Sequence, residues 1–324
     1  MDSIVEGALL WEPSATLRRD CTLTRYVREL EKQGAGPITD YNALWRWSVD
    51  HIDAFWRSIA SFFEVGLSTP YETDIVTGEM PLARWFAGAT INYTERLFRQ
   101  ASATHPAIVF KREDRPLVEL SWAELERSVA AIAAALCAMG VQVGDMVAGY
   151  VPNCPEAVIA FLACASIGAI WSSCSPDMGT AGVTDRFAQI APKVLFAVDG
   201  YRYGGKAFDR TTVLTELRTT LPSLTHVVLI PYLDPDCEGA AVGGAALWPD
   251  LMKIESPLQC VQLPFEHPLW VLFSSGTTGL PKPMVQGHGG IVLEHLKLLA
   301  LHHDLRPGDR FFWLTTTGWM MWNL

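Results

Sequence analysis

From about residue 105 onward, short apolar runs alternate with stretches of helical periodicity. "AIVFK" and "LVELSW" read as strands. Ser121 followed by Glu124 makes a capping box, which opens a helix through "AIAAALCAM" to Gly140. The scheme then repeats. "MVAGYV" predicts a strand, Pro152 to Pro155 a turn, "EAVIAFLACAS" a buried helix ending at Gly168, and "AIWSS" the next strand. A helix "GVTDRFAQI" stops before Pro192 and the strand "KVLFAV", and another around "VLTELRTTL" precedes "THVVLI". Strands separated by helices of this length predict an α/β fold with a mainly parallel sheet covered on both faces. Before this region, Trp45, Val49, Ile52, Trp56, Ile59 and Phe63 recur at spacings of four and three, which predicts one helix face directed at a core.

The segment 232–247, rich in Gly, Ala and Asp, reads as a surface loop. Beyond it, Leu269 to Phe273 reads as a strand buried on both faces. A polar, glycine-spaced run follows, then a helix "IVLEHLKLLALHH", a turn "RPGD" and a final strand "RFFWLT". The expected organisation is a helical N-terminal region over 1–104, a first α/β subdomain over 105–260 and the start of a second over 261–324.

Charge and composition remove several function classes. A formal charge of −10 over 324 residues disfavours a general nucleic-acid binder or a basic membrane-surface protein, both of which need clustered Lys and Arg. The longest apolar run, Ala157 to Trp171, is shorter than the ~20 residues of a membrane span. Asp2 and Glu6 precede the first basic residue, Arg18, which fits neither a signal peptide nor a transit peptide. The seven cysteines form no C-x-x-C pair and sit mostly among apolar neighbours, as reduced cytoplasmic thiols do. His288, His295, His302 and His303 cluster in sequence without a cysteine at ligand spacing, so no metal site is expected among them.

Burial accounts for the strand at 269–273 but not for the "SSGTTGLPK" that follows it. Gly276 and Gly279 allow positive φ and let main-chain N–H groups approach an anion; Ser274, Ser275, Thr277 and Thr278 add hydroxyl donors, and Lys282 a positive charge. Such a set suits a polyphosphate. The spacing is not that of a Walker A loop, since two residues rather than four separate the glycines and the lysine follows Leu-Pro.

"SSGTTGLPK" resembles the phosphate-binding signature of the adenylate-forming enzymes, the superfamily of acyl-CoA synthetases, luciferases and peptide-synthetase adenylation domains. "GVQVGDMVAGYVPNCPEAVIAFLACASIGAIWSSCSPD", "WFAGATINYTE", "DRFAQIAPKVLFAVDGYRYGGK" and "FFWLTTTGWMMWN" extend the resemblance over nearly the whole chain, most closely to the acetoacetate-using acyl-CoA synthetases. The resemblance implies the truncated large N-terminal domain of such an enzyme. It also implies a two-step ligase: ATP and acetoacetate give an acyl adenylate and pyrophosphate, and coenzyme A then displaces AMP. Acetate or propionate is the alternative acid, and a non-catalytic nucleotide-binding short form the alternative product. By the same resemblance the hydroxyls and glycine amides of 274–279 hold the departing phosphates and Lys282 acts in catalysis. Arg202 and Lys206 are the candidates for the nucleotide phosphate of coenzyme A. Gly318, Trp319, Met320 and Met321 bound the acid. Pro283 and Gln286 depart from the commoner family residues and put the exit of the loop in question. The glutamate that binds Mg2+ and the C-terminal lysine of the family lie in segments this sequence does not contain, so the 324 residues alone are expected to be inactive.

Overall fold

A computed structural model describes residues 6–67, 75–79, 83–276 and 279–323. Two compact units divide the chain.

The first unit comprises the chain up to Gly66 together with Leu293–Phe311. Its N-terminal part is helical as expected: α1 (Ala15–Asp20), α2 (Thr22–Lys32), α3 (Tyr41–Asp50) and α4 (Ile52–Phe62). The Asp40 carboxylate caps α3 by accepting from Ala43 N at 2.8 Å. Tyr26 of α2 packs edge-on against Phe62, and its hydroxyl lies 2.6 Å from Ser58 Oγ of α4. The expected aromatic stripe needs correction. His51 (φ −128°, ψ 55°) breaks the helix between Val49 and Ile52, and Trp45, Val49 and Ile52 are exposed; of the six stripe residues Ile59 alone is buried. The spacing predicts a common side only while the helix runs on, and the break at His51 leaves Trp45, Val49 and Ile52 outside the core that Ile59 joins.

The second unit holds a seven-stranded sheet. In chain order its strands are β1 (Met146–Tyr150), β2 (Ile170–Cys174), β3 (Val194–Val198), β4 (His226–Ile230), β5 (Ala246–Leu247), β6 (Pro268–Ser274) and β7 (Lys282–Gly287). Their order across the sheet is β5-β4-β3-β1-β2-β6-β7, with every neighbouring pair parallel except β6 and β7. Strands from both sides of residue 260 therefore share one sheet. Helices α5 (Tyr93–Phe98), α6 (Trp122–Ala138), α7 (Pro155–Ile167), α8 (Thr180–Ile190) and α9 (Thr211–Thr220) accompany it. The capping box at Ser121 and Glu124 forms, and Gly168 ends α7 in the left-handed region at φ 77°.

Residues of β3 alternate between two cores. Val194, Phe196 and Val198 pack with α6 and α7, whereas Leu195 and Ala197 pack with α8 and α9. The sheet is thus covered on both faces, as its apolar strands predict. Asn92, 1 % exposed, joins α5 to this body: its Nδ2 donates to Ala165 O and Val261 O, both at 2.9 Å, while its Oδ1 accepts from Thr94 N.

The connection through α7 carries the chain from β1 to β2, and the one through α8 returns it across β1 to β3. A parallel sheet whose crossovers diverge in this way opens a crevice beyond the carboxyl ends of the two strands, the usual place for a ligand. Two sequence expectations fail elsewhere. The segment 232–247 contains a 3-10 turn, Gly239–Val242, and the short strand β5. Residues 310–315 form no strand; Phe312 and Leu314 are exposed, and no strand among the described residues pairs with them. A β-prone run becomes a strand only when another edge offers backbone partners.

Candidate functional site

At the carboxyl end of β6 the chain turns back through residues 275–281 into β7, so that Lys282 lies opposite Ser274 in the antiparallel register. Lys282 therefore stands at the start of a strand rather than within a loop. The turn is tight. A Cβ on Gly276 would lie 3.0 Å from Leu280 O, and Gly279 adopts φ +105°. Gln189 Nε2 of α8 donates to Pro281 O at 3.0 Å, which ties the turn to the helix beside it. Ser275 and Lys282 are exposed, and Lys282 makes no ion pair among the described residues. Thr277 and Thr278 lie outside the described residues. This is a compact hairpin tip with an exposed ammonium group and hydroxyl donors, a fit for an anion rather than for a protein core.

The two sequence departures are explained by the hairpin. Pro283 faces Phe273 on β7, the outermost strand, where a missing N–H is tolerated. Gln286 faces Trp270 and accepts its indole N–H at 2.6 Å. Both serve the hairpin.

The segment carrying the expected acid-binding residues is fastened beyond the carboxyl ends of β1 and β2. Thr317, 3 % exposed, donates from Oγ1 to Val151 O just beyond β1, and its own carbonyl accepts from Ser173 Oγ of β2 at 2.9 Å. Gly318 packs closely on the next turn: an added Cβ would meet Ser175 N at 3.0 Å and Met178 Cε at 3.1 Å. A 3-10 turn follows over Met320–Asn323, and Trp322 Nε1 donates to Asn153 Oδ1 at 3.1 Å. Trp319 is 53 % exposed and Met320 37 %; Met321 is half-buried. The hairpin tip and this segment thus belong to the same edge of the sheet, the carboxyl ends of β6, β2 and β1.

Arg202 and Lys206 lie on a separate antiparallel hairpin, Gly200–Tyr203 with Lys206–Asp209, which follows β3. Both are exposed. Arg202 Nε is 3.4 Å from Asp114 Oδ2, and Arg112, hydrogen-bonded to the same carboxylate, holds Asp114 below the usual carboxylate range. Arg202 thus shares the single charge of Asp114 with Arg112, whereas Lys206 forms no ion pair among the described residues.

His288 stands where β7 gives way to a helix, α10 (His288–Leu296), and is fully buried. Its Nδ1 accepts from Tyr93 N at 3.1 Å, and burial, with His267 5.8 Å away ring to ring, pushes its pKa down to about 3. The ring is a neutral structural acceptor. Among the described residues no group of three or more His, Cys, Asp or Glu side chains is arranged to hold a metal ion. Because an unfolded histidine titrates near 6.5, the unfolded chain takes up a proton before the folded one does, and stability falls as pH drops below about 6.5. Between pH 7 and pH 5 this group should cost about 2 kcal/mol. His288→Asn keeps an acceptor at the Nδ1 position, so denaturant unfolding at the two pH values should reveal a shallower loss. An unchanged pH slope would contradict the burial of a neutral ring.

Tyr150, Asn153, Ser173 and Ser175 escaped sequence reasoning. Their signal was positional: each is a polar group at or just past the carboxyl end of β1 or β2.

A family model of AMP-binding enzymes matches residues 97–322, and one of the acetyl-coenzyme A synthetase N-terminus matches residues 41–97. The chain is 39% identical over 332 residues to the acetoacetyl-CoA synthetase of Mus musculus, covering 99% of this chain and 49% of that protein. It is 40% identical over 319 residues to acetoacetyl-coenzyme A synthetase of Rhizobium meliloti, covering 97% and 48%. Among solved structures, acetoacetyl-CoA synthetase from Streptomyces lividans superposes with a TM-score of 0.92 at 48% identity, over 97% of this chain and 48% of that one. The chain spans about half the length of these relatives.

Proposed function

The chain belongs to the family of AMP-binding enzymes, and on that premise we propose that the protein carrying it is an acetoacetate–CoA ligase. Acetoacetate and ATP react to an acyl adenylate with release of pyrophosphate, and the thiol of coenzyme A then displaces AMP to give acetoacetyl-CoA. The observation that carries this reading is the β6–β7 hairpin tip. A Cβ on Gly276 would press to 3.0 Å from Leu280 O, and Lys282 presents an exposed ammonium group opposite Ser274.

Attack of the carboxylate on the α-phosphorus makes pyrophosphate the leaving group, so negative charge grows on the β- and γ-phosphates. Donors fixed in advance around that position lower the barrier because they need not reorganise as charge develops. Ser274, Ser275, Thr277, Thr278 and the amides of Gly276 and Gly279 are the donors assigned here, with Lys282 adding field strength. Mg2+ would supply further charge neutralisation; its ligands are not among the residues of this chain assigned to the site. For the acid we assign Gly318, Trp319, Met320 and Met321. For the coenzyme A phosphate we assign Arg202 and Lys206, both exposed on the same hairpin. A reducing cytoplasmic setting belongs to the same reading, one in which buried Cys154, Cys164 and Cys174 remain thiols.

The test separates the half-reactions. In the whole protein, Thr277→Ala or Thr278→Ala should slow acetoacetate-dependent ATP–pyrophosphate exchange about 10–100-fold, the loss of one hydrogen bond to a charged group. Thioester formation from supplied acetoacetyl adenylate should change far less, since no pyrophosphate takes part. Equal losses in both would mean that the hairpin supports the fold or the AMP moiety instead.

A further inference from the structure

Tyr150 ends β1 and is fully buried within the core shared with α8 and α9. Burial raises its pKa to about 12, so at neutral pH the phenol carries its proton and can donate. Its hydroxyl lies 2.8 Å from Pro176 O and 2.7 Å from Met178 O, and the single proton is shared between the two carbonyls. Arg210 reinforces the first contact from the opposite side, with Nε donating to Pro176 O at 2.5 Å while its guanidinium lies over Tyr201, 5.1 Å from the ring centre. The turn between β2 and α8 is thus gripped from within by a phenol and from the side by a guanidinium.

That turn carries nothing in the assignments above, yet it is the surface on which Gly318 rests. Ser175 N and the Met178 methyl are the two groups an added Cβ on Gly318 would strike, at 3.0 and 3.1 Å. On its other side the acid-binding segment is fastened through Thr317 to Val151 O, directly after Tyr150. A displacement of 176–178 would therefore be passed on to Gly318, while the anchor at Thr317 stays in place.

We propose that Tyr150 is a positioning residue for the acid: its hydroxyl fixes the Pro176–Met178 turn, and Met178 in turn sets where Gly318 and Trp319 stand. The inference rests on the ligase reading and deepens it. Tyr150 is 0 % exposed and its hydroxyl is spent on Pro176 O and Met178 O, so its effect passes through the turn. The nucleotide is assigned to the β6–β7 hairpin, which Tyr150 does not touch, so the effect should fall on one substrate only.

Tyr150→Phe removes the hydroxyl alone. In the whole protein it should raise KM for acetoacetate about tenfold, as for one lost hydrogen bond, and leave KM for ATP within about twofold. Met178→Ala leaves the hydroxyl in place, deletes the contact with Gly318 and should give the same acid-selective rise; it keeps the test open if the tyrosine variant folds poorly. Unchanged acid KM in Met178→Ala, or a parallel rise of both KM values in either variant, overturns the positioning role while leaving the ligase reading intact. A wild-type protein that exchanges pyrophosphate with no short-chain acid overturns the ligase reading itself and this inference with it.

Discussion

Two neighbouring glycines at the start of α10 should respond to alanine with opposite signs: Gly289→Ala should destabilise the protein by about 1–3 kcal/mol, and Gly290→Ala should stabilise it by about 0.5–1 kcal/mol. A Cβ on Gly289 would lie 2.2–2.5 Å from three ring carbons of Phe265, nearer than any unstrained contact. Phe265 has little freedom to retreat. It is 5 % exposed, stacks on Phe86 with ring centres 4.8 Å apart, donates its N–H to Ala89 O and accepts from Gly289 N at 2.9 Å. At Gly290 nothing lies within 4 Å of an added Cβ and the residue is exposed, so alanine brings only its better helix propensity. Denaturant unfolding of the two variants should differ by about 1.5–4 kcal/mol. Similar stabilities would mean that Phe265 can repack, and the close contact would lose its meaning.

That contrast marks a limit of the sequence. "HGG" gives no sign of which glycine faces a ring, because the ring belongs to a residue more than twenty positions earlier. What was legible depended on local physics. The Ser121 and Glu124 capping box, Gly168 in the left-handed region and the apolar runs of β1 to β4 each carry their own hydrogen-bonding or burial logic, and each forms where expected. The parallel sheet follows from their alternation with helices. The failures needed partners. The spacing of Trp45, Val49 and Ile52 records a common side, but burial requires a second surface there. "RFFWLT" has strand chemistry but pairs with no strand among the described residues, and β7 was hidden by Lys282, Pro283 and Gln286, whose place on an edge strand only the pairing with β6 explains.

The candidate site divides along the same line. The glycine-hydroxyl turn announces itself because so many donors and so little bulk coincide behind a buried strand. The support for the acid segment does not, since Tyr150 and Met178 look like ordinary core residues until the turn at 176–178 is seen against Gly318.

Acetoacetate should be preferred over butyrate by about 10–100-fold in kcat/KM in the whole protein, and Trp319→Phe should remove most of that preference. Butyrate has the same chain length but lacks the ketone oxygen, so a pocket that pairs this oxygen with a donor would leave the donor unpaired when butyrate binds. An unpaired buried polar group costs about 1–3 kcal/mol, whereas a methylene more or less discriminates weakly. The structure narrows the donor. Thr317 Oγ1 is given to Val151 O and Trp322 Nε1 to Asn153 Oδ1, while Thr315 Oγ1 faces Thr316 O at 3.4 Å. The indole N–H of Trp319 has no acceptor among the described residues, and the ring is half exposed directly after Gly318. Trp322→Phe should accordingly act less on the ketone than on the anchoring of the segment, lowering kcat/KM for both acids together. If the unmutated protein used butyrate as well as acetoacetate, no ketone would be read, and a general short-chain acyl-CoA synthetase would be the better description of the pocket. If the preference held but survived Trp319→Phe unchanged, the donor would be another group, the exposed Thr316 hydroxyl and the Asn323 amide being the next in this segment.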